Sequence, residues 1–304
     1  MSTNPTSPDS PKVGIVILNW NGYSDTSHCL DSISAIKYSN YQTYVVDNNS
    51  TDGSLNRLEK EYGQTVFIRK KENTGFADGC NVGIKEAIQN QCDYVLLLNN
   101  DMTVKKDFLS RLVETAESNQ DVAAVGGTIY YPDKEKIWYS GGEIHPRTAK
   151  IERKTEIPSM TEYPTEWIIS ALMLLNVDYL QSHGYLNDDY FFGSEDQEFC
   201  YLAQKRGWKL LVNPESEVVH DIHSTSGSLN GFQVYHNTYN RLYFAENCLR
   251  KPDRAIFYIY FLINRIGFVL YAALNQRVDL IISVHQALSD YRQDEQRKAT
   301  EYIK

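Results

Sequence analysis

The chain is predicted to fold as an α/β protein, with a mostly parallel sheet covered by helices on both faces and a helical C-terminal extension. Three observations predict this. Five short apolar runs recur through the first half, each of strand length. Segments with helical spacing of apolar residues separate them, and that alternation is the pattern of a parallel sheet. No long linker or internal repeat divides the chain, so its two halves are expected to share one core.

Val13–Trp20 is the first run, and Asp25–Ile36 follows with Cys29, Leu30, Ile33 and Ile36 on one helical face. Gln42–Asn48 is the second run, carrying Tyr44, Val45 and Val46. Ser54–Tyr62 reads as a helix with Asp52 as its N-cap. Thr65–Arg69 is the third run, followed by a helix over Gly79–Gln89 with Val82, Ile84 and Ala87. Tyr94–Leu98 is the fourth, followed by a helix over Lys106–Ser118 with Phe108, Leu109, Leu112 and Ala116. Val122–Tyr131 is the fifth. The pattern then changes. Trp138–Ile157 reads as irregular β structure, Trp167–Leu175 as a strand, Glu195–Arg206 as a helix and Trp208–Val212 as a strand. From Gly231 the chain reads as helical. The expected divisions are a flexible polar tail over residues 1–12, a catalytic body over 13–249 and a helical segment over 250–304.

Composition narrows the function. The 304 residues carry 30 Lys and Arg against 39 Asp and Glu, a net charge of −9, which argues against nucleic acid as a partner. That average is uneven. From Arg250 onward nine Lys and Arg face six Asp and Glu, so that part carries +3 and the remainder −12. Five scattered Cys form no CxxC pair, which fits reduced cytosolic thiols better than a metal finger or a disulfide framework. The N-terminus has neither a basic region nor an apolar core of the signal-peptide kind.

Ligands of parallel sheets bind at the carboxyl ends of strands. Here those ends read Leu18-Asn19-Trp20-Asn21-Gly22, Val46-Asp47-Asn48-Asn49-Ser50-Thr51-Asp52-Gly53-Ser54 and Leu98-Asn99-Asn100-Asp101. Asn, Asp, Ser and Gly are also ordinary turn formers. Three such loops at consecutive strand ends favour a nucleotide site. Asp47 can accept from a pyrimidine N3–H, Trp20 can offer a face to a base, and Asp101 can hold a hard cation against a diphosphate. No GxGxxG follows the first run and no GxxxxGK[ST] exists, so dinucleotide and P-loop chemistry lack their phosphate turns.

These residues resemble the GT-A glycosyltransferases of family 2, especially the rhamnosyltransferase-like branch. Five blocks match in order: Val13–Gly22, Val45–Ser54, Asn73–Ile84, Val95–Val104 and Tyr190–Arg206. A sixth, Val218–Gly227, is weaker and contains His220. The resemblance implies a Rossmann-like GT-A fold, a nucleotide-sugar donor, Mg²⁺ or Mn²⁺, and transfer with inversion to a glycan hydroxyl. Inversion needs one general base. The family's acidic pair matches Glu195 and Asp196, with Asp196 as the base and Glu195 orienting the acceptor or adjusting the site's charge. Helix-start acids that merely suit the macrodipole are the structural alternative. Donor contacts are implied for Asn19, Trp20, Asn21, Asp47, Asn49, Asn73, Gly75, Asp78, Asn81, Asn99 and Asn100. Gly75 and Gly79 would allow close backbone approach, and Asn73 is also a natural helix cap. Asp101 matches the last metal-site carboxylate, although Asn99 and Asn100 replace the usual preceding Asp. His220 matches a His near the metal in some relatives, and His223 has no distinguishing pattern. Ser170 stands where relatives often have Gly, which bears on the acceptor.

Ala255–Leu274 is the most apolar stretch, split by Asn264 and Arg265 into two runs of nine. It suits a core-packed, an interfacial or a spanning helix. Tyr258, Tyr260 and Tyr271, with Arg250, Lys251, Arg254 and Arg277, favour peripheral contact with a membrane surface. The expected setting is the cytosolic face of the cell membrane, and the expected acceptor a lipid-linked, polyprenyl-type saccharide or surface polysaccharide precursor. The competing functions are a sugar-nucleotide-binding protein without turnover and a sugar nucleotidyltransferase. The latter should carry a basic, Gly-rich phosphate loop near the first run, which Asn19–Gly22 does not supply.

Overall fold

The computed structural model describes residues 10–159, 161–221 and 229–293. In chain order the first half contains β1 (Val13–Asn19), α1 (Tyr23–Ser34), β2 (Tyr41–Asp47), α2 (Ser54–Glu61), β3 (Val66–Arg69), α3 (Phe76–Gln89), β4 (Tyr94–Leu98), β5 (Met102–Val104), α4 (Phe108–Ser118) and β6 (Val122–Tyr130). Then come β7 (Ile137–Tyr139), β8 (Gly142–His145), β9 (Lys150–Arg153), β10 (Tyr163–Pro164), β11 (Leu172–Asn176), α5 (Val177–His183), α6 (Glu195–Lys205) and β12 (Lys209–His220). Three helices follow: α7 (Gly231–Cys248), α8 (Lys251–Leu274) and α9 (Val278–Gln293).

The main sheet runs β10-β12-β6-β11-β4-β1-β2-β3, with β5 on β12 and β7 on β6. The parallel reading holds for β4-β1-β2-β3 and for β12 beside β6. β11 lies antiparallel between β4 and β6 and joins the two parallel blocks. An apolar run shows burial but not direction, so this inversion leaves no trace in the sequence pattern. β4 is buried at every position and β1 at all but one, so both faces of the sheet are covered. α3 lies close on one face, because a Cβ at Gly79 or Gly83 would meet the side chains of Leu18 or of Val16 and Val46.

Several boundaries differ from the sequence reading. α3 begins at Phe76, not Gly79, because Gly75 caps it at φ +95° and the Asn73 side chain takes the Gly75 N–H. α2 is capped by Gly53, and Asp52 sits one residue earlier, accepting from the Ser54 N–H. The strand expected from Trp167 begins only at Leu172; Trp167 makes an isolated bridge to Gly142, and a turn at Ser170–Ala171 precedes the strand.

One core joins β1–β6, α1, α3, α4 and α6 to Leu242, Phe244 and Ala245 of α7 and Phe257 and Phe261 of α8. Smaller clusters tie α7 to α9 through Tyr235, Tyr239 and Ala287, and α7, α8 and α9 through Val234, Ala272, Leu280 and Val284. α8 therefore packs by one side only. Ile259, Leu262, Ile263, Ile266, Leu270 and Leu274 form an exposed stripe at three- and four-residue spacing along its outer side.

Candidate active site

β1 neighbours both β2 and β4, because the chain moves outward through β2 and β3 and then returns to β1's other side. This reversal is a topological switch point, where a crevice opens at the carboxyl ends. The polar loops after β1, β2 and β4 therefore meet at one edge.

Asn19 is fully buried and organises that edge. Its Nδ2 donates to Asp47 Oδ1 at 2.8 Å, Ser50 Oγ at 3.1 Å and Ser54 Oγ at 3.2 Å. Its Oδ1 accepts from Thr26 Oγ1 at 2.8 Å. Asp47 Oδ2 accepts from the Ser50 N–H, so both of its oxygens hold internal bonds. Asn21, in the left-handed region, accepts from the Thr51 N–H and donates its own N–H to Ser50 Oγ. Trp20 is 42% exposed beside it, and Asn49 is exposed in the facing loop. Asn100 donates to Thr26 Oγ1 at 3.0 Å.

Other expected donor residues serve the scaffold. Asn81 is 3% exposed and clamps Leu186, donating to its carbonyl at 2.8 Å and accepting its N–H at 3.2 Å. A Cβ on Gly75 would lie 2.4 Å from Phe191 O, so the close approach Gly75 permits is to the chain's own backbone. The Gly79 approach is to Leu18. Asp78 pairs with Lys70 and accepts from Thr74. Burial pushes its carboxyl up, but the Lys70 and Thr74 bonds outweigh this and hold it below the usual range. Asn73 Oδ1 accepts from Asn48 Nδ2 and the Gly75 N–H. Asn48, which the sequence reading passed over, is buried and also bonds the Gly75 carbonyl, latching β2 to the start of α3.

Asp101 follows β4 and His220 ends β12. The β5–β12 pairing sets His220 opposite Met102, and His220 Nε2 meets Asp101 Oδ2 at 2.9 Å. Trp138 packs edge-on against the imidazole at 4.7 Å between ring centroids. Asp101 Oδ1 and His220 Nδ1 are buried without a hydrogen-bond partner among the described residues. An orphaned carboxylate oxygen fits a hard cation. Among the described residues no group of three His, Cys, Asp or Glu surrounds it, so a cation there would take its other ligands from diphosphate and water. His223 lies outside the described residues.

Glu195 and Asp196 open α6 after Ser194, whose φ is +76°. They are 3% and 6% exposed. Ser170 holds both: its Oγ donates to Glu195 Oε1 at 3.0 Å and its N–H to Asp196 Oδ2 at 3.2 Å. The Gln197 N–H bonds Asp196 Oδ1, whereas Glu195 Oε2 is buried without a partner among the described residues. Burial pushes Glu195 up, and the Asp196 charge adds to it. Burial also raises Asp196, against the Ser170 N–H, the Trp167 indole and the Gln197 N–H. A carboxylate raised toward neutral pH is suited to taking a proton from a hydroxyl.

The two clusters share one backbone link. The Asn99 N–H donates to Ala171 O at 3.1 Å, so the loop carrying Asp101 is tied to the turn holding Glu195 and Asp196. The sequence offered no signal for this link beyond Ser170 itself.

Comparison with known proteins gives this geometry its context. Residues 14–178 match the family model described as glycosyl transferase family 2. The chain is 21% identical to the dTDP-rhamnosyl transferase RfbF of Shigella flexneri, over 72% of this chain and 74% of that protein. It is 22% identical to the low-salt glycan biosynthesis hexosyltransferase Agl10 of Haloferax volcanii, over 81% and 79%. Among solved structures, the mannosyltransferase PcManGT from Pyrobaculum calidifontis, in complex with GDP-Man and Mn²⁺, superposes with a TM-score of 0.60 at 15% identity. That match covers 96% of this chain and 90% of the other. GalNAc-T7 with UDP, GalNAc and Mn²⁺ gives a TM-score of 0.61 at 15% identity, over 78% of this chain and half of that one. These likenesses show a GT-A fold. With more than half of its length matched by the family model, the chain belongs to glycosyl transferase family 2.

Proposed function

We propose that the chain is an inverting glycosyltransferase that moves a sugar from a nucleotide-sugar donor to a hydroxyl of a lipid-linked saccharide. The observation that carries this reading is the backbone link between Asn99 and Ala171, which ties the Asp101 loop to the turn holding the buried acidic pair. Two adjacent buried carboxylates do not both ionise cheaply. Glu195, next to the Asp196 charge, is the one that stays protonated, which leaves Asp196 as the base. Asp196 takes the acceptor proton as the hydroxyl oxygen attacks the anomeric carbon, and the bond from that carbon to the diphosphate breaks on the opposite face. One protonated and one ionised carboxyl give the pair a single negative charge before transfer, and the proton taken from the acceptor neutralises it.

Trp20 offers a ring face to the base, and Asn21 and Asn49 present polar groups beside it. Asp47, fully bonded internally, shapes the floor through Asn19. Asp101 Oδ1 would hold Mg²⁺ or Mn²⁺, and His220 fixes the other oxygen of that carboxylate. A bound cation would neutralise the departing diphosphate. The exposed stripe of α8 supports an in-plane position at the cytosolic membrane face. α8 is long and apolar enough to cross a membrane. However, Arg265 and Asn264 face the body and bond to each other, with Arg265 also reaching Thr238 of α7, which favours a helix lying on the surface.

A panel of nucleotide sugars with Mn²⁺ tests the function. The expected result is a thermal shift with one donor, together with slow release of free nucleoside diphosphate. Binding without any release, with or without acceptor, would replace the transferase reading by that of a sugar-nucleotide-binding protein.

A further inference from the structure

A cavity of about 550 Å³ lies between the start of α6, the helices α7 and α8, and the β8–β9 turn. Lys150, Arg241, Arg265 and Gln197 are in its walls. Among the described residues, none of the three cations forms an ion pair with a carboxylate. Arg241 is 4% exposed and Gln197 is 3% exposed. The Nε of Arg241, the Nε of Arg265 and the Nε2 of Gln197 are all buried without a hydrogen-bond partner among the described residues.

This arrangement is costly as it stands. The two guanidinium groups share Asn264 Oδ1, at 3.5 Å from Arg241 and 2.9 Å from Arg265; Arg241 also donates to Thr148 O and Arg265 to Thr238 Oγ1, which leaves the Nε of each over. Burial pushes the Arg265 pKa down to about 10, with the Arg241 charge adding to it. Stacking over Phe257, Phe261 and Phe268 offsets part of the burial. Ring faces do not satisfy the Nε–H left over on each guanidinium, and buried donors of that kind call for an acceptor. Paired guanidinium forks match phosphate oxygens in charge and geometry.

We propose that this cavity binds the phosphate or diphosphate of a lipid-linked saccharide acceptor. The proposal rests on the glycosyltransferase reading and adds what the acceptor must carry. Two placements support it. Ser194 and Gln197 line the cavity, and they bracket Glu195 and Asp196 on the same helix. α8, which contributes Arg265 to the cavity, carries the exposed aliphatic stripe on its outer side, where a hydrocarbon chain would lie.

The test uses the full chain and phosphatidylcholine vesicles, without donor or metal. One set contains undecaprenyl diphosphate, a second contains phosphatidylglycerol at equal surface charge, and flotation reads binding. We expect binding to the polyprenyl diphosphate vesicles to be at least about tenfold tighter, or ~1.4 kcal/mol. Arg265→Gln should abolish that preference. Lys150→Gln, at an exposed position, should reduce it at least about threefold, or ~0.7 kcal/mol. Lys134→Gln, the same charge change on the turn between β6 and β7, should leave it intact. Equal binding to both vesicle types, or a preference that survives both cavity variants, overturns the proposal. A separate assay of nucleotide-sugar hydrolysis without acceptor reports the donor site. If no nucleoside diphosphate is released with or without acceptor while the vesicle preference holds, the enzymatic reading falls and the cavity assignment stands. The opposite result removes the cavity assignment alone.

Discussion

Ser170→Ala removes one hydroxyl from the centre of the acidic pair and leaves the backbone in place. The Ser170 N–H still reaches Asp196 Oδ2, but Glu195 Oε1 loses its 3.0 Å donor. Glu195 Oε2 already lacks a partner among the described residues, so the variant carboxyl has no side-chain hydrogen bond. The Ser170 bond pulls the Glu195 pKa down against burial and the Asp196 charge, so its loss raises that pKa further. With a native pKa above the unfolded one, the folded state holds an extra proton above the ordinary Glu range. Stability then falls as pH rises through that window, and the window extends further up in the variant. At pH 5 Glu195 is neutral in both proteins, and the lost bond is of the neutral kind, about 1 kcal/mol. At pH 9 it is a bond to a charged acceptor, worth about 1.5–3 kcal/mol. At roughly 2 °C per kcal/mol for a chain of this size, the deficit in Tm should grow from about 2 °C to about 3–6 °C. Thermal melts of both proteins across that range check this. In a Glu195→Gln background the deficit should stay near its acid value. A deficit of equal size at pH 5 and pH 9 would refute the claim that Ser170 acts on the charge of Glu195.

Four other substitutions test separate parts of the structure. Asp196→Asn should lower kcat by about 10²–10⁴-fold with a proven donor and acceptor, with some loss of Tm, because the amide nitrogen replaces an oxygen that accepts from the Ser170 or the Gln197 N–H. Activity near wild type would move the base elsewhere. Asp101→Ala should abolish the Mn²⁺-dependent part of the donor-induced thermal shift, and an unchanged metal dependence would remove Asp101 from the metal site. Gly75→Ala places a Cβ 2.4 Å from Phe191 O at φ +95°, so denaturant melts should show a loss of at least about 2 kcal/mol. Asn81→Ala breaks two buried bonds to Leu186, and the same melts should show a loss of about 2–4 kcal/mol.

The parts of this fold visible in the sequence are those governed by local periodicity. β1, β2, β3, β4 and β6 fall on the five apolar runs; for all but the half-buried edge strand β3, a strand buried on both faces is apolar at successive positions. The loops at the switch point were legible for the same reason, since polar residues begin where burial ends. Direction was not legible, and β11 runs antiparallel under the same composition as its neighbours. Polar residues were also ambiguous in their use. Trp20 and Asn49 are exposed, whereas Asn81 is consumed by the Leu186 backbone and Asn73 gives its oxygen to Asn48 and the Gly75 N–H. Arg265 was visible only as an interruption of an apolar run. Its proximity to Arg241, 24 residues away on another helix, depends on how α7 and α8 pack.

The start of α6 has a dimensional consequence. Asp196 and the cavity-lining Gln197 are consecutive residues of one helix, separated by a rise of about 1.5 Å along its axis. On the proposed reading the base sits on the same rigid rod as one wall of the cavity, while the cations that would hold the anion sit on α7, α8 and the start of β9. The distance from anion to base is then set by how α7 and α8 pack against α6, and an acceptor anchored by phosphate would have to span it. Altered length selection would require remodelling α7 or α8, while the base stays where α6 puts it.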